Sequence, residues 1–389
     1  MRILVIPFPS PAHFNAMVPL LGELHAAGHE LLVGCQPDLT DAVHGAGFIS
    51  TSVGEAANTI EGIVANTSPD MFPAEAFGDR ESDMGAMLWR IIAQGVHDQA
   101  DRYVDDYAAL IRAWRPDAVL YDRMAVAGLL AAEANGVPAV AHRWGLDPLT
   151  GPFTEELERS AAPIVERLGL DGFPAPGLIL DPVPPSLQIK DAHPAHHIRY
   201  APFNGAGDLP DWAVPSDGLR RVAVCMGGNA LLASGPRPLV SVLRALGDAD
   251  GVEVVVLAAP ELAQDLPPLP ENIRRVDPTP LDLFLDTCDV LVHHGGSQTG
   301  LTGTWFGVPQ LVLPQWQDQF DYGRLLEAAG AGLCAPSAED QADTDALRRS
   351  VLSLFGEESR AAVQRLRAEM DTGTPLHGVS RLISDLRRP

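Results

Sequence analysis

Short apolar runs alternate along the chain with longer stretches whose apolar residues recur at helical spacing. Residues 2–7 form a short apolar run, which predicts a strand buried in a parallel sheet. Apolar residues at positions 17, 20, 21 and 24 then predict a helix that ends near Gly28. Residues 30–35 predict the next strand. This βαβ start is typical of a Rossmann-like domain, whose ligands bind beside the carboxyl ends of the strands.

The same pattern continues and is then repeated in the second half of the chain. Further strands are predicted at residues 116–121, 139–142, 221–225, 252–257, 273–276, 289–292 and 310–313. Residues 54–101 and 150–215 lack a regular period, which predicts turns and long loops. Two such α/β halves predict two Rossmann-like domains that face a central cleft. The predicted boundaries are a first domain at 1–208, a linker at 209–218, a second domain at 219–372 and a final helical segment at 373–389.

The chain is strongly acidic. Its 389 residues include 51 Asp and Glu against 27 Lys and Arg, a formal net charge of −24. Such a charge repels polyphosphate backbones and anionic lipids, so we expect neither nucleic acid nor a membrane as a partner. The four cysteines lie far apart without CxxC spacing, and the first strand begins at residue 2. We therefore expect a cytoplasmic protein with reduced thiols and no signal peptide.

Residues 288–299 carry the most specific motif. The strand predicted at 289–292 is followed by His293 and His294, then by two glycines, and helical spacing begins after Ser297. A small-residue turn between a strand and a helix leaves backbone N–H groups at the positive end of the helix dipole, where a phosphate binds. The glycines let the backbone approach closely, and His293 can hydrogen-bond a phosphate oxygen.

A second polar group follows the strand predicted at 310–313. Trp316 precedes Asp318 and Gln319. An acceptor beside an amide, after an aromatic ring, suits a ligand rich in hydroxyl groups such as a sugar. The motif at 288–299 and this group therefore predict neighbouring sites for a phosphate and a sugar.

Together these motifs resemble the donor-binding segment of nucleotide-sugar-dependent glycosyltransferases with the GT-B fold. The resemblance is strongest to the actinomycete enzymes of glycosyltransferase family 1 that glycosylate polyketides and related natural products. That family carries a His-His-Gly-Gly-x-Gly-Thr/Ser turn and a later Asp-Gln that binds the sugar; this chain has Gln298 at a position where the family has glycine. The resemblance covers essentially the whole chain. It implies an acceptor-binding first domain, a donor-binding second domain and a segment 373–389 that packs back on the first domain.

His13 and Asp122 are the candidate catalytic residues. Both lie where predicted strands of the first sheet end. An imidazole can take a proton near neutral pH, and a carboxylate can fix its tautomer and stabilise the imidazolium. From position alone they could equally be a surface histidine and an unrelated loop carboxylate. The resemblance favours the pair, because His13 matches the base of many family members and Asp122 matches its usual partner.

The donor-binding residues combine both lines of reasoning. Residues 227–229 begin a second strand-to-helix turn that faces the cleft. By resemblance, residues 276–281 contact the nucleotide base through their backbone, and residues 316–319 bind the sugar. The predicted donor-binding residues are Gly227, Gly228, Asn229, Val276, Pro280, Leu281, His293, Gly295, Gly296, Ser297, Gln298, Trp316, Asp318 and Gln319. We expect no metal and no other cofactor, because the helix terminus would stabilise the leaving diphosphate.

Residues 70–90 place large apolar side chains in one of the irregular stretches. Apolar side chains exposed on loops mark ligand sites, and methionine suits a pocket for a large flat or macrocyclic molecule. Core packing beneath long loops is the alternative interpretation. The predicted acceptor-binding residues are Met71, Phe72, Phe77, Met84, Trp89 and Trp144.

The sequence favours an inverting glycosyltransferase that moves a deoxysugar from a dTDP- or UDP-sugar to a hydrophobic natural-product aglycone, with His13 as the base. A nucleotide-sugar 2-epimerase on the same fold and a catalytically inactive helper protein are the alternatives. The apolar residues 70–90 argue against the epimerase, and the presence of both His13 and Asp122 argues against the helper. The resemblance leaves room for a homodimer and for an auxiliary activator protein. It leaves the sugar, the aglycone and the O-, N- or C-glycosidic bond open.

Overall fold

The computed structural model describes residues 1–214, 218–263 and 266–386. Within these ranges the first half of the chain forms a sheet of seven parallel strands in the order β3-β2-β1-β4-β5-β6-β7. The strands are β1 (Arg2–Ile6), β2 (Glu30–Cys35), β3 (Ser50–Ser52), β4 (Ala118–Asp122), β5 (Ala139–His142), β6 (Leu178–Asp181) and β7 (His196–His197). The order reverses beside β1, so the carboxyl ends of β1 and β4 lie next to each other and form the crevice where such sheets bind ligands.

Helices cover both faces of this sheet. They are α1 (Pro11–Ala26), α2 (Thr40–Gly45), α3 (Thr59–Asn66), α4 (Asp83–Trp114), α5 (Val126–Ala134) and α6 (Pro152–Arg167). Helix α1 begins with a proline at its first position, where no intrahelical N–H is needed. It ends just before Gly28, whose φ of +84° a side chain would disfavour. The helix predicted from positions 17, 20, 21 and 24 is thus confirmed.

The second half forms a separate parallel sheet in the order β10-β9-β8-β11-β12-β13, again within the described ranges. The strands are β8 (Arg220–Cys225), β9 (Val252–Leu257), β10 (Ile273–Val276), β11 (Val290–His293), β12 (Gln310–Val312) and β13 (Gly332–Cys334). The helices are α7 (Gly228–Ser234), α8 (Arg237–Leu246), α9 (Pro260–Ala263), α10 (Ser297–Trp305), α11 (Gln319–Ala328), α12 (Ala338–Ala342), α13 (Thr344–Ser353) and α14 (Glu357–Thr372). The prediction of two Rossmann-like halves is confirmed.

Two of the predicted loop regions are wrong. Helix α4 begins at Asp83, inside the stretch 54–101 for which turns and long loops were predicted. The Ser82 hydroxyl caps it by accepting a hydrogen bond from the Gly85 N–H at 3.0 Å. Helix α6 lies inside the proline-rich stretch 150–215, with Pro152 at its first position and Pro163 in its interior. The proline content of this stretch predicted loops, whereas the buried apolar face of α6 stabilises a helix.

The chain ends by returning to the first sheet. The Thr374 N–H donates to the His197 carbonyl at 3.0 Å, and a last helix, α15 (Leu376–Asp385), follows. Val379 and Ile383 are buried in the apolar cluster beneath β1 and α1. Residues 215–217 of the predicted linker and 387–389 of the predicted final segment lie outside the described residues.

Candidate active site

The topology brings His13 and Asp122 together. His13 lies in the first turn of α1, directly after β1, and Asp122 is the last residue of the neighbouring strand β4. The His13 Nδ1 and an Asp122 carboxylate oxygen are 3.0 Å apart, and Asp122 is fully buried. The other carboxylate oxygen accepts a hydrogen bond from the Met124 N–H at 2.8 Å. Because Asp122 occupies Nδ1, Nε2 is the imidazole nitrogen left for a ligand.

Aromatic rings hold the imidazole in place. The Trp144 ring stacks on His13 with centroids 4.4 Å apart and an angle of 27° between the planes. Phe8 contacts the same imidazole at 4.8 Å. The preceding strand β5 pairs with β4 and ends at His142. The loop that carries Trp144 is therefore anchored next to the His13–Asp122 pair.

Phe8, His13 and Trp144 line a cavity of about 580 Å³ between the two domains. Its first-domain wall is mainly apolar, and the wall residues include Phe8, His13, Trp89, Ile91, Ile92, Val96, Met124 and Trp144. Its second-domain wall is mainly polar and includes Asn229, His294, Gly296, Ser297, Gln298, Trp316, Asp318 and Gln319. The imidazole of His13 thus lies between an apolar surface and a polar one.

A second cavity, of about 770 Å³, adjoins the first and shares wall residues with it. The shared residues are Ala12, Gly227, Gly228, Gln298 and Thr299. Its remaining wall includes Asn204, Leu257, Pro280 and Leu281. The two cavities together form an extended space that passes over the start of α10.

The turn between β11 and α10 has the geometry expected of a phosphate-binding turn. Gly295 has a φ of +91°, and a side chain there would collide with the Gln319 carbonyl. A side chain at Gly227 or Gly296 would instead collide with the His294 ring. The first N–H groups of α10 have no acceptor within the helix and lie at the positive end of its dipole. Gly227 and Gly296 therefore give His294 room beside a set of backbone donors, whereas Gly295 lets the turn pack against Gln319.

The structure places His294 at the cavity wall, whereas the sequence pattern predicts His293 for this position. His293 is fully buried at the end of β11; its Nε2 contacts the Gln310 side-chain oxygen at 3.0 Å and its Nδ1 accepts from the Gly295 N–H at 3.1 Å. Both nitrogens are thus used within the protein, and the structure does not bring the His293 side chain to the cavity where we expected it to bind phosphate. Its neighbour His294 lines the cavity instead. Burial lowers the pKa of His294 to about 4, so its imidazole is neutral at pH 7.

Residues after β12 form the polar floor of the first cavity. Asp318 accepts a hydrogen bond from the Ser297 hydroxyl at 3.2 Å. Burial, together with the nearby charge of Asp321, raises the pKa of Asp318 to about 6. The Gln319 side-chain oxygen accepts hydrogen bonds from the N–H groups of Gln315 and Trp316, which leaves its amide nitrogen for other partners. The structure thus brings the predicted sugar-binding residues to the cavity.

The remaining predicted donor residues divide into two groups. Gly227, Gly228, Asn229, Pro280 and Leu281 line one or both cavities, as expected. Val276 does not line either cavity, because it is buried in the apolar cluster at the end of β10. The segment that follows it, residues 278–281, does reach the larger cavity, and the contact of the Val276 backbone with the nucleotide base stays a prediction.

The predicted acceptor residues are only partly placed at the cavity. Trp89 and Trp144 line it, whereas Met71, Phe72, Phe77 and Met84 do not. Phe77 packs beneath Trp89 at 5.5 Å, and Phe72 contacts Trp316 in the second domain at 5.6 Å. Met84 points away from the cavity although it lies on α4. Sequence reasoning missed Ile91, Ile92 and Val96, which recur at helical spacing on the cavity side of the same helix.

Residues 69–80, the bridging segment, pack in a way that keeps Met71, Phe72 and Phe77 out of the cavity wall. The Ala74 N–H donates to the Gln315 carbonyl at 2.8 Å, across the domain boundary. Arg80 pairs with the buried Asp321 of α11 at 3.0 Å, and its guanidinium lies 3.6 Å from the centroid of the Trp89 ring. The bridging segment therefore packs on the second domain and does not form the wall of the acceptor cavity.

Two features are absent from residues 1–214, 218–263 and 266–386. Every helix there is either too short or too polar to cross a bilayer. The same part of the chain contains no cluster of three or more His, Cys, Asp or Glu side chains arranged to hold a metal ion.

Comparison with known families gives matches over most of the chain. Residues 23–227 match the family model described as the N-terminal domain of erythromycin biosynthesis protein CIII-like proteins, and residues 240–384 match the C-terminal domain model. The chain is 33% identical to the L-demethylnoviosyl transferase of Streptomyces niveus, over 97% of this chain and 96% of that protein. It is 32% identical to the tylactone mycaminosyltransferase of Streptomyces fradiae, over 95% of this chain and 89% of that protein.

Solved structures show the same fold. The spinosyn rhamnosyltransferase SpnG superimposes with a TM-score of 0.91 at 39% identity, over 99% of this chain and 100% of that one. SpnG has also been solved with thymidine diphosphate and with spinosyn aglycone. The glycosyltransferase SnogD from Streptomyces nogalater superimposes with a TM-score of 0.78 at 29% identity, over 100% of this chain and 99% of that one. The predicted GT-B fold is confirmed.

Proposed function

The chain belongs to the erythromycin biosynthesis protein CIII-like family of actinomycete natural-product glycosyltransferases, and we propose that it transfers a deoxysugar from a dTDP-sugar to a hydroxyl group of a hydrophobic, polyketide-like aglycone. The observation that carries this proposal is the position of the His13–Asp122 pair, which faces the start of α10 across the interdomain cavity. A base on one wall and a phosphate-binding turn on the other are what sugar transfer from a nucleotide requires.

In the proposed reaction, the acceptor oxygen attacks the anomeric carbon while His13 takes the hydroxyl proton on Nε2. Asp122, 3.0 Å from Nδ1, fixes the tautomer and stabilises the imidazolium that forms. A bond forms between the acceptor oxygen and the anomeric carbon. The bond from that carbon to the diphosphate oxygen breaks on the opposite face, which inverts the configuration and releases dTDP.

The leaving diphosphate would bind at the start of α10. The backbone N–H groups of residues 297–299 and the neutral imidazole of His294 supply hydrogen bonds to its growing negative charge. We propose that no divalent metal is required. Transfer measured in excess EDTA is expected to proceed at the untreated rate, and a loss of activity that magnesium restores would contradict this part of the proposal.

The adjoining spaces suit the other parts of the substrates. The larger cavity, with residues 278–281 in its wall, would hold the nucleoside. Asp318 and the amide nitrogen of Gln319 lie on the floor beside the turn, where they would hydrogen-bond the sugar hydroxyls. The apolar wall formed by Ile91, Ile92 and Val96 would hold the aglycone beside His13.

The direct test is product formation. The purified chain would be incubated with individual dTDP-sugars, including dTDP-rhamnose, with and without hydrophobic aglycones such as spinosyn aglycone and tylactone. We expect a product that contains aglycone plus one sugar, formed only when the acceptor is present. Epimerisation or hydrolysis of the donor without acceptor would favour the 2-epimerase, and failure to convert any donor would favour the helper protein. The relatives described above lend support to neither alternative.

Three further expectations remain predictions: the homodimer, the auxiliary activator protein and the cytoplasmic location. The UDP-sugar alternative is set aside because dTDP matches the thymidine diphosphate in the SpnG complex.

A further inference from the structure

Gln298 lies at the point where the two cavities meet. It is the second residue of α10 and lines both the larger cavity and the one that contains His13. Its side-chain amide donates a hydrogen bond to the backbone carbonyl of Trp144, in the other domain. The family motif has glycine at this position, and glycine has no side chain to make such a bond. This contact is therefore an addition to the shared turn.

The contact belongs to a close packing of two segments. A side chain at Gly145 would lie 2.1 Å from the Ser297 Cβ, so the loop after Trp144 can approach α10 only because residue 145 is glycine. The Ser297 hydroxyl lies 3.4 Å from the Leu146 N–H. Three consecutive loop residues thus contact the first two residues of the helix.

The loop end of this contact leads directly to the base. Trp144, whose carbonyl accepts from Gln298, is buried and stacks its ring on His13 at 4.4 Å. The helix end of the contact is the turn assigned above to the diphosphate. A chain of direct contacts therefore runs from the phosphate turn through Gln298 and Trp144 to the imidazole.

We propose that Gln298 is a positioning residue that holds Trp144, and through it His13, in register with the donor-filled turn. The inference rests on the proposed function of His13 as the base. Loss of the hydrogen bond from the Gln298 side chain would free the Trp144 loop and let the His13 imidazole leave its productive orientation. A displacement of about 1 Å from the reacting atoms can lower turnover by up to roughly 100-fold. Binding of the nucleotide alone should persist, because the backbone N–H groups of the turn are unchanged.

The test compares Gln298→Ala and Gln298→Met with the wild-type chain. Alanine removes the side chain, and methionine keeps its size but cannot donate the hydrogen bond. Ser186→Ala is the matched control, because it removes a hydrogen bond to Glu369 that also joins distant parts of the chain but lies away from both cavities. Three quantities are measured for each variant. They are kcat for transfer from dTDP-rhamnose to spinosyn aglycone, the affinity for thymidine diphosphate (TDP, the same molecule as the dTDP released in the reaction) by calorimetry, and Tm.

We expect both Gln298 variants to lower kcat about tenfold and to bind TDP within twofold of wild type, with kcat unchanged in the Ser186 control. Unchanged kcat with a lower Tm would overturn the inference, because Gln298 would then only stabilise the fold. A tenfold loss of TDP affinity with normal kcat would overturn it as well, since the amide would then be a phosphate ligand. Wild-type kcat in Gln298→Met would show that side-chain size suffices and that the hydrogen bond is not required.

Failure of the inference and failure of the proposed function can be told apart. If the wild-type chain forms no glycosylated product with any donor and acceptor, the proposed function itself is wrong. If the wild-type chain is active and the Gln298 variants match it, only the positioning role is wrong.

Discussion

Adjacent residues at the end of a strand can have opposite environments, and His293 and His294 show this. Strand β11 continues through His293, whose ring therefore enters the core and bonds Gln310. The next residue lies past the strand end and lines the cavity. The sequence located the motif because glycines follow a buried strand. It could not indicate which histidine faces the ligand, since that depends on where the strand ends.

Replacing each histidine with alanine should separate the two roles. His294→Ala is expected to weaken TDP binding by about 1.5–3 kcal/mol, the range for a hydrogen bond to a charged group. His293→Ala is expected to keep TDP affinity but to lower the free energy of unfolding by about 2–4 kcal/mol, because it leaves a cavity and unpaired buried groups. Calorimetry with TDP and thermal unfolding measure the two effects. Normal TDP binding by His294→Ala would place the phosphate elsewhere.

Asp318 makes stability depend on pH. Its pKa is about 6 in the folded protein, raised from an ordinary value of 3.8. The carboxyl group therefore ionises more readily in the unfolded chain, and the free energy of unfolding falls as the pH rises from about 4 to 6. Asp318→Asn removes that charge. We expect the variant to match wild type below pH 4 and to be more stable by about 1–3 kcal/mol above pH 6. Thermal unfolding across pH 4–8 checks this, and a stability difference that does not vary with pH would contradict it.

At the scale of elements, most of the strands were predicted, whereas the short strands β3, β6, β7 and β13 and the start of α4 were not. Continuous apolar runs between turn formers identify buried parallel strands such as β1 and β9, because both faces of such a strand are covered. Helix α4 instead exposes Met84, Met87 and Ile91 while burying its opposite side. Apolar residues on two sides obscure the amphipathic period. The irregular pattern was therefore interpreted as a loop, whereas part of the helix faces a cavity.

Helix α4 also offers a matched pair of variants for the acceptor site. Ile91 and Met84 are similarly exposed, at 57% and 54%, but Ile91 lines the cavity and Met84 does not. Ile91→Ser is expected to raise the acceptor KM about 3- to 30-fold, since a partly buried aliphatic contact is worth about 1–2 kcal/mol. TDP affinity should not change. Met84→Ser should leave the acceptor KM unaltered, and equal effects of the two substitutions would contradict the assignment of this helix face.

At the scale of the whole molecule, the bridging segment is one of the contacts that join the two domains. Its contacts join residues far apart in sequence, such as Arg80 and Asp321, and no periodicity or local motif predicts such a pair. The closeness of His13 and Asp122 was predictable from topology, because strand ends of one parallel sheet converge. The packing of residues 69–80 on the second domain depends on the shapes of both domains, which the local sequence pattern does not encode.

Arg80→Ala tests the contribution of the bridging segment. It removes one partner of a buried carboxylate and a guanidinium that lies on the Trp89 ring. We expect the free energy of unfolding to fall by about 2–4 kcal/mol. Arg159→Ala is the control, because the largely exposed Arg159 pairs with Glu156 within α6, away from the bridging segment, and loss of this ion pair should cost less than about 1 kcal/mol. Chemical denaturation measures both, and equal losses would show that the bridging contact adds nothing.

The proposal as a whole depends on His13 acting as the base, and the transfer rate of His13→Ala tests this most directly. The rate of glycosylated-product formation would be measured for wild type and variant at saturating donor, together with TDP affinity. We expect turnover to fall about 100-fold or more, the scale of a lost general base, while TDP binds as before. Full turnover by His13→Ala, with normal TDP binding, would remove His13 from the reaction and contradict the proposed mechanism.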